Sequence, residues 1–346
     1  MARPIKPPLR HYTRYSKLSG KKYCIRFVRF DPFISLIFSD GVTLVGQEWL
    51  SALTEFRLLD YLHNTTFGLV RCAEGIVKRV YLLLVLLWSC SAAAEVEQYV
   101  RYLHGGTVQY GLIQGTRIQP VVGNLFDTFQ LSEQSLSLSE VTVLLPVAPG
   151  NVYAVGLNFA SHMASSARAD PPMFVKLYSS LIPSGQQVVL PAGAKNLHFE
   201  GELVVVIGKT TQNISEADAM SAVFGYLVGN DLTERTWQAQ DLQWIRAKSS
   251  DGFGPVSARI TRGVDFRDLE VVTRLNNKVV QQETMRTMIH KPAKVIAYLS
   301  QYFVLRPGDL IFMGTPGRTE ALRDGDEIEV SIKGVGSVTN RVSAVD

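Results

Sequence analysis

Two glutamates separated by one residue, Glu200 and Glu202, stand at the entrance to an uninterrupted apolar run, LVVVI. A short β-branched run of this kind reads as a buried strand, and residues i and i+2 of a strand share a face. Two carboxylates therefore point the same way where the chain enters a core. Asp231 closes a second apolar run, FGYLVGN, and falls at another strand end. Three carboxylates beside a core repel one another and lose hydration. Protonation, ion pairing or a shared cation makes them tolerable. An all-oxygen donor set suits a hard divalent ion such as Mg²⁺, Mn²⁺ or Ca²⁺. Spacing alone also allows a solvated acidic pair at a strand edge.

The surrounding residues narrow that choice. His162 ends the stretch GLNFASH, and Lys176 lies in FVK. Gly229, Asn230, Asp231, Arg235 and Gln238 spell G-N-D-x-x-x-R-x-x-Q. Ala247, Lys248, Ser249, Asp251, Phe253 and Pro255 spell A-K-S-x-D-x-F-x-P, and Gly314, Thr315 and Pro316 follow as G-T-P. In this order and spacing the sequence resembles the fumarylacetoacetate hydrolase family, over about residues 97–346. The resemblance implies that Glu200, Glu202 and Asp231 ligate Mg²⁺ or Mn²⁺, with Ca²⁺ as a possible substitute. It makes His162 the general acid/base, a role suited to a ring that titrates near neutrality. Lys248 becomes the second catalytic residue, beside the metal. Lys176, Arg235, Gln238 and Thr315 become substrate-binding residues, Arg235 holding a carboxylate in a fork.

The implied substrate is a 2-oxo or 1,3-diketo acid that chelates the metal and reacts through an enolate. The family often carries a glutamate three residues after the histidine, to activate a hydrolytic water. Serine stands there in this chain, Ser165. A serine does not polarise an imidazole as a carboxylate does, so the departure favours isomerisation, tautomerisation or decarboxylation over C–C bond hydrolysis. A non-catalytic ligand-binding relative is the alternative from another class. Asn276, Asn277, Gln281 and Met288 loosely echo a further family segment and read as a hairpin with a lesser site role.

Composition adds bounds. The 346 residues are 46% hydrophobic and 19% charged, an ordinary globular balance. The formal charge of +4 is unevenly placed: residues 1–95 carry a net +6 and the rest a net −2. The motif-bearing part thus offers no reason to expect nucleic acid as a partner. The three cysteines, Cys24, Cys72 and Cys90, all precede it at no metal-ligand spacing. A reducing cytoplasm and no membrane association are expected. Val80–Ala94, VYLLLVLLWSCSAAA, is too short to span a bilayer. It has the form of a secretory apolar region followed by an A-x-A site, but its place some eighty residues from the start favours a buried segment or translated upstream sequence with no function of its own.

The elements that must position these residues follow from periodicity. Residues 1–95 form an extension showing only short strand-like pieces, CIRFVRF and FISLIF. Residues 96–149 read as a small strand-rich segment, a meander broken at Gly105-Gly106 and Gly115. Residues 150–346 form the catalytic domain that the resemblance implies. Within it, helices are expected from a Ser215 cap to Gly225, from Thr233 to Ile245 with Arg235, Gln238 and Leu242 on one face, and after Pro292 with Val295, Ile296, Leu299 and Phe303 inward. The expected fold is mainly β with short helices (α+β), the mixed β-sandwich roll that the resemblance implies. The resemblance further implies a homodimer.

Overall fold

The computed structural model describes residues 95–162 and 168–344, together with the backbone of four strands nearer the N-terminus. Ser165, Cys72, Cys90 and the apolar stretch Val80–Ala94 lie outside the described residues. The chain divides into two compact units, Met1–Ser91 and Ala92–Asp346. In the first, strands His11–Leu18, Lys21–Phe30, Phe33–Ile37 and Thr43–Leu44 pair antiparallel in sequence order.

The second unit is built on long β pairing. Its larger sheet runs, strand by strand, Met173–Lys176, Val152–Val155, Leu310–Phe312, Gly201–Ile207, Val223–Asn230, Arg259–Arg262, Glu97–His104, Thr107–Gln114, Arg117–Gly123 and Phe129–Leu131. A five-stranded sheet runs Val188–Val189, Gly336–Ser343, Glu327–Ile332, Glu270–Leu275 and Lys278–Thr284. The architecture is mainly β with short helices, as the sequence predicts.

The Gly201–Ile207 strand is buried along its whole length because both of its faces are covered. Leu203, Val205 and Ile207 face the second sheet and join Val271, Val330 and Ile332 in one core. Val204 and Val206 face the other way and pack with Val152, Leu310 and Phe312. Glu200 and Glu202 share the parity of Val204 and Val206, so they leave the strand on that second face. The Pro292–Tyr302 helix forms as predicted, with proline in its first turn and Val295, Ile296 and Leu299 buried in the first core. Phe303, expected inward, is half exposed and leans on the Tyr153 ring at 5.6 Å.

Two expected helices do not form as read. After Ser215 only Ala219–Ala222 coils, as a single 3₁₀ turn. From Val223 onward the chain is claimed by antiparallel pairing with Gly201–Ile207, which satisfies its backbone and buries its β-branched residues. The stretch Thr233–Ile245 is likewise interrupted. Arg235–Gln240 and Ile245–Ser249 are separate short helices, and Trp244 between them has φ +58°, incompatible with a continuous helix. Leu242 consequently sits in the break and is 92% exposed instead of sharing a helical face with Arg235 and Gln238. The hairpin at Asn276-Asn277 is present, both residues taking the left-handed conformation that asparagine tolerates.

Leu203 is fully buried between the sheets. Leu203→Ala is expected to lower unfolding free energy by about 2–5 kcal/mol, measured by urea denaturation. A loss below about 1 kcal/mol would contradict this packing.

Candidate metal centre and active site

The antiparallel register that sets Gly201 opposite Asn230 also brings Glu200 alongside Asp231. The Asp231 amide donates to the Glu200 carbonyl at 2.8 Å, and the Glu200 amide donates to Asn230 Oδ1 at 2.9 Å. Glu200, Glu202 and Asp231 are all buried, and one carboxylate oxygen of each lies within 4.8 Å of the others. Three residues spread over 32 positions, from Glu200 to Asp231, thus meet because two strands pair in one register.

Three cations hold Glu200 and Asp231. The Lys248 ammonium donates to Glu200 Oε2 and Asp231 Oδ2, both at 2.6 Å. Lys176 donates to Asp231 Oδ1 at 2.7 Å, to the Phe253 carbonyl at 3.1 Å and to the Lys248 carbonyl. Arg235 donates to Glu200 Oε1 and, through its other terminal nitrogen, to Gln238 Oε1 at 2.9 Å. Among the described residues no lysine or arginine pairs with Glu202. Its Oε2 accepts from the backbone amide of Gly314 at 2.6 Å. That amide is available because Gly314 has φ +88°, and a Cβ there would lie 2.8 Å from Cβ of Asn158.

The electrostatics follow. Burial, then repulsion from Asp231 and Glu200, hold the Glu202 carboxyl well above the usual carboxylate range. Burial alone would also raise Glu200. The charge of Lys248, then that of Arg235, overcomes it and leaves that carboxyl well below its ordinary value. Burial opposes the charge on Lys248, but Asp231 and Glu200 more than offset it and raise its pKa. Burial wins at Lys176, lowering it despite Asp231.

The donor set fits a hard divalent ion. All donors are oxygens, Glu202 lacks a cation of its own, and the Lys248 ammonium already stands where Glu200 and Asp231 share one positive charge.

His162 enters from the loop after Val152–Val155. Its Nδ1 lies 2.7 Å from the Gly317 carbonyl, which only accepts, so Nδ1 carries the proton. In the neutral ring Nε2 is then bare, and it faces Glu200 Oε1 at 3.6 Å. Asn158 fixes this loop, donating to the carbonyls of His290 and Met313 at 2.9 and 2.7 Å.

A cavity of about 110 Å³ is lined by His162, Glu200, Glu202, Asp231, Arg235, Gln238, Lys248 and Thr315 among others. Eight of the nine sequence-predicted site residues therefore converge on one space. Lys176 does not reach it: its ammonium is fully buried beneath Asp231 with three acceptors around it. The Thr315 hydroxyl donates to the Gly201 carbonyl at 2.9 Å and accepts from Gln281 at 3.0 Å. It thereby ties the G-T-P loop to the strand that carries the glutamates. Gln281, read from sequence as peripheral, is the buried clasp of that tie. Its Oε1 accepts from the Gly201 amide at 3.2 Å. Glu234, unremarked in sequence, is fully buried and caps the Arg235–Gln240 helix by accepting from the Trp237 amide at 2.6 Å. Its place just before the helical Arg235 was the available signal.

Comparison with known proteins agrees with this geometry. The profile for the fumarylacetoacetate (FAA) hydrolase C-terminal family matches residues 151–343, more than half the chain, and an Rv2993c-like N-terminal profile matches residues 98–146. The chain belongs to the fumarylacetoacetate hydrolase family. Protein Rv2993c of Mycobacterium tuberculosis is 37% identical over 223 residues, covering 63% of this chain and 84% of that protein. The 4-hydroxyphenylacetate degradation bifunctional isomerase/decarboxylase of Escherichia coli is 37% identical over 220 residues, 61% of this chain and 51% of the relative. The crystal structure of 2-hydroxyhepta-2,4-diene-1,7-dioate isomerase from Mycobacterium marinum superposes with a TM-score of 0.67 at 33% identity, covering 72% of this chain and 98% of that one. Relatives with these activities support an enzyme.

Metal binding to the folded state raises stability by about 2.7 kcal/mol at a hundredfold excess over Kd. Mg²⁺ or Mn²⁺ should therefore raise the melting temperature of the wild type. Glu202→Gln should abolish that rise, while leaving the metal-free protein at least as stable because a repulsive buried charge is gone. Equal metal-induced shifts in both proteins would remove Glu202 from the centre.

Proposed function

We propose that this protein is a metal-dependent isomerase, tautomerase or decarboxylase of a small 2-oxo acid, acting through an enolate. The observation that carries the reading is His162: a bare imidazole nitrogen facing the carboxylate cavity, its tautomer set by a backbone carbonyl. A bound Mg²⁺ or Mn²⁺, held by Glu200, Glu202 and Asp231, would supply Lewis acidity toward the oxo acid's oxygens. His162 Nε2 removes a proton from the carbon beside the oxo group and returns it elsewhere on the substrate. The Gly317 carbonyl holds the ring in place throughout. Lys248 keeps positive charge next to the position where the substrate's oxygens gain electrons. Arg235 and Gln238, which line the cavity, grip the carboxylate end.

Hydrolysis is the second reading, since one similar solved structure, from Exiguobacterium antarcticum, is named a fumarylacetoacetate hydrolase. It asks more of His162, because a water must be ionised as it attacks carbon. A carbonyl stabilises the resulting imidazolium less than a carboxylate does. The serine at position 165 in place of glutamate points the same way.

The protein is further expected to be a cytoplasmic homodimer. Among the described residues no helix is long and apolar enough to cross a membrane. Val175, on the terminal strand of the larger sheet, borders one shallow apolar groove with Leu242, Ile245 and Phe303, all four of them exposed. A second copy burying its own groove there would form a two-fold contact. Sedimentation should show a dimer that Leu242→Glu weakens. A monomer at micromolar concentration would refute the assembly.

With Mg²⁺ present, the wild type should tautomerise or decarboxylate oxaloacetate or isomerise a hydroxymuconate-type diene, and cleave acylpyruvates weakly. His162→Ala should lower the proton-transfer activity by about 10²–10⁴-fold. Ser165→Glu should raise acylpyruvate cleavage more than decarboxylation. Efficient acylpyruvate cleavage by the wild type, unimproved by the glutamate, would overturn the order of these readings.

A further inference from the structure

Non-glycine residues with positive φ among the described residues are Leu157, Asn213, Trp244, Asn276 and Asn277. Asparagine accepts that conformation readily. A leucine and a tryptophan do not, and strain of this kind persists only where the surroundings impose it. Leu157, at φ 52°, and Trp244, at φ 58°, come from distant segments, yet both line the carboxylate cavity. Both also line a second cavity of about 640 Å³, walled further by Pro172, Met173 and Tyr298. They stand at the junction of the two spaces.

The junction is apolar and flat-sided. The Trp244 ring packs edge-on against Phe174, centroids 5.7 Å apart. A Cβ on Gly156 would lie 3.9 Å from both the Trp244 and Phe174 rings, so the missing side chain leaves the floor open. Leu157 keeps 39% of its surface exposed opposite the opening. The Trp244 carbonyl accepts from the Lys248 amide at 2.9 Å, placing the ring one helical turn from the site's lysine. Arg168 and Asp170, the charges on the outer cavity's wall, are of opposite sign and offer no net attraction to a second carboxylate.

We infer that Leu157 and Trp244 form a neck that reads the substrate beyond its oxo-acid head, selecting tails that are apolar and unsaturated over several carbons. The inference rests on the oxo-acid reading of the carboxylate cavity. Stacking on tryptophan and leucine rewards planar carbon, and the outer chamber accepts what protrudes past it.

Calorimetry on the full chain with Mg²⁺ tests this, using oxalate, pyruvate, benzylidenepyruvate and 2-oxoadipate, each affinity divided by that for oxalate. Benzylidenepyruvate should bind at least about tenfold tighter than pyruvate, the scale on which apolar pockets discriminate. Gly156→Ala narrows the neck without backbone strain, and Trp244→Gly removes the ring while accepting the positive φ. Each should shrink the benzylidenepyruvate-to-pyruvate ratio several-fold, with thermal melting confirming the fold. Equal affinity for the two ligands in the wild type, a ratio unmoved in both variants, or tighter binding of 2-oxoadipate than of benzylidenepyruvate would overturn the neck while oxalate still binds. If oxalate itself fails to bind, the oxo-acid reading falls first and the neck with it.

Discussion

Repulsion among three buried carboxylates is the constraint on which the rest of this structure depends. Glu200, Glu202 and Asp231 are each less than 5% exposed, and no chain would concentrate them without compensation. Lys176 and Lys248 supply it from below and beside, Arg235 from the cavity wall. Losing one partner of such a pair strands a buried charge, at about 3–5 kcal/mol. The lysines therefore belong to the architecture whatever their part in chemistry. Lys176 shows this best, because its three protons are all committed to acceptors beneath the site.

The same constraint explains the loops. A carboxylate without a cation needs backbone donors, and Glu202 finds one only because Gly314 takes a conformation closed to other residues. The G-T-P loop must then be held against the strand, which Thr315 and Gln281 do together. The loop of His162 must lie against the G-T-P loop, which Asn158 does. Each clasp is a neutral hydrogen bond between buried groups, so the site stands rigid without further charge.

Much of this was legible in the chain. The E-x-E before LVVVI specified a strand face, and that face carries both carboxylates. Asp231 at the end of FGYLVGN specified a strand end, and Asn276-Asn277 a hairpin. What could not be read was whatever depends on a distant partner. Nothing in FVK distinguishes a fully buried lysine from a surface one. Nothing in SEADAMSAVF shows that strand pairing begins at Val223 and overrides local helical preference. Trp244 reads as a helical residue, and nothing in the local sequence signals the left-handed backbone it takes where it packs against Phe174 and the Trp237 core.

Charge balance links the site to its ligand. With all three carboxylates ionised, Glu200, Glu202 and Asp231 are matched by Lys176, Lys248 and Arg235, leaving no net charge. A divalent ion among them would leave two positive charges in a buried space, costly unless an anion accompanies it. The carboxylate of a 2-oxo acid supplies one negative charge, and its enolate form supplies the second. Under the 2-oxo acid reaction proposed above, the species that best neutralises the loaded cavity is the enolate intermediate, not the substrate. Complementarity of that sort lowers a barrier and does not merely tighten binding.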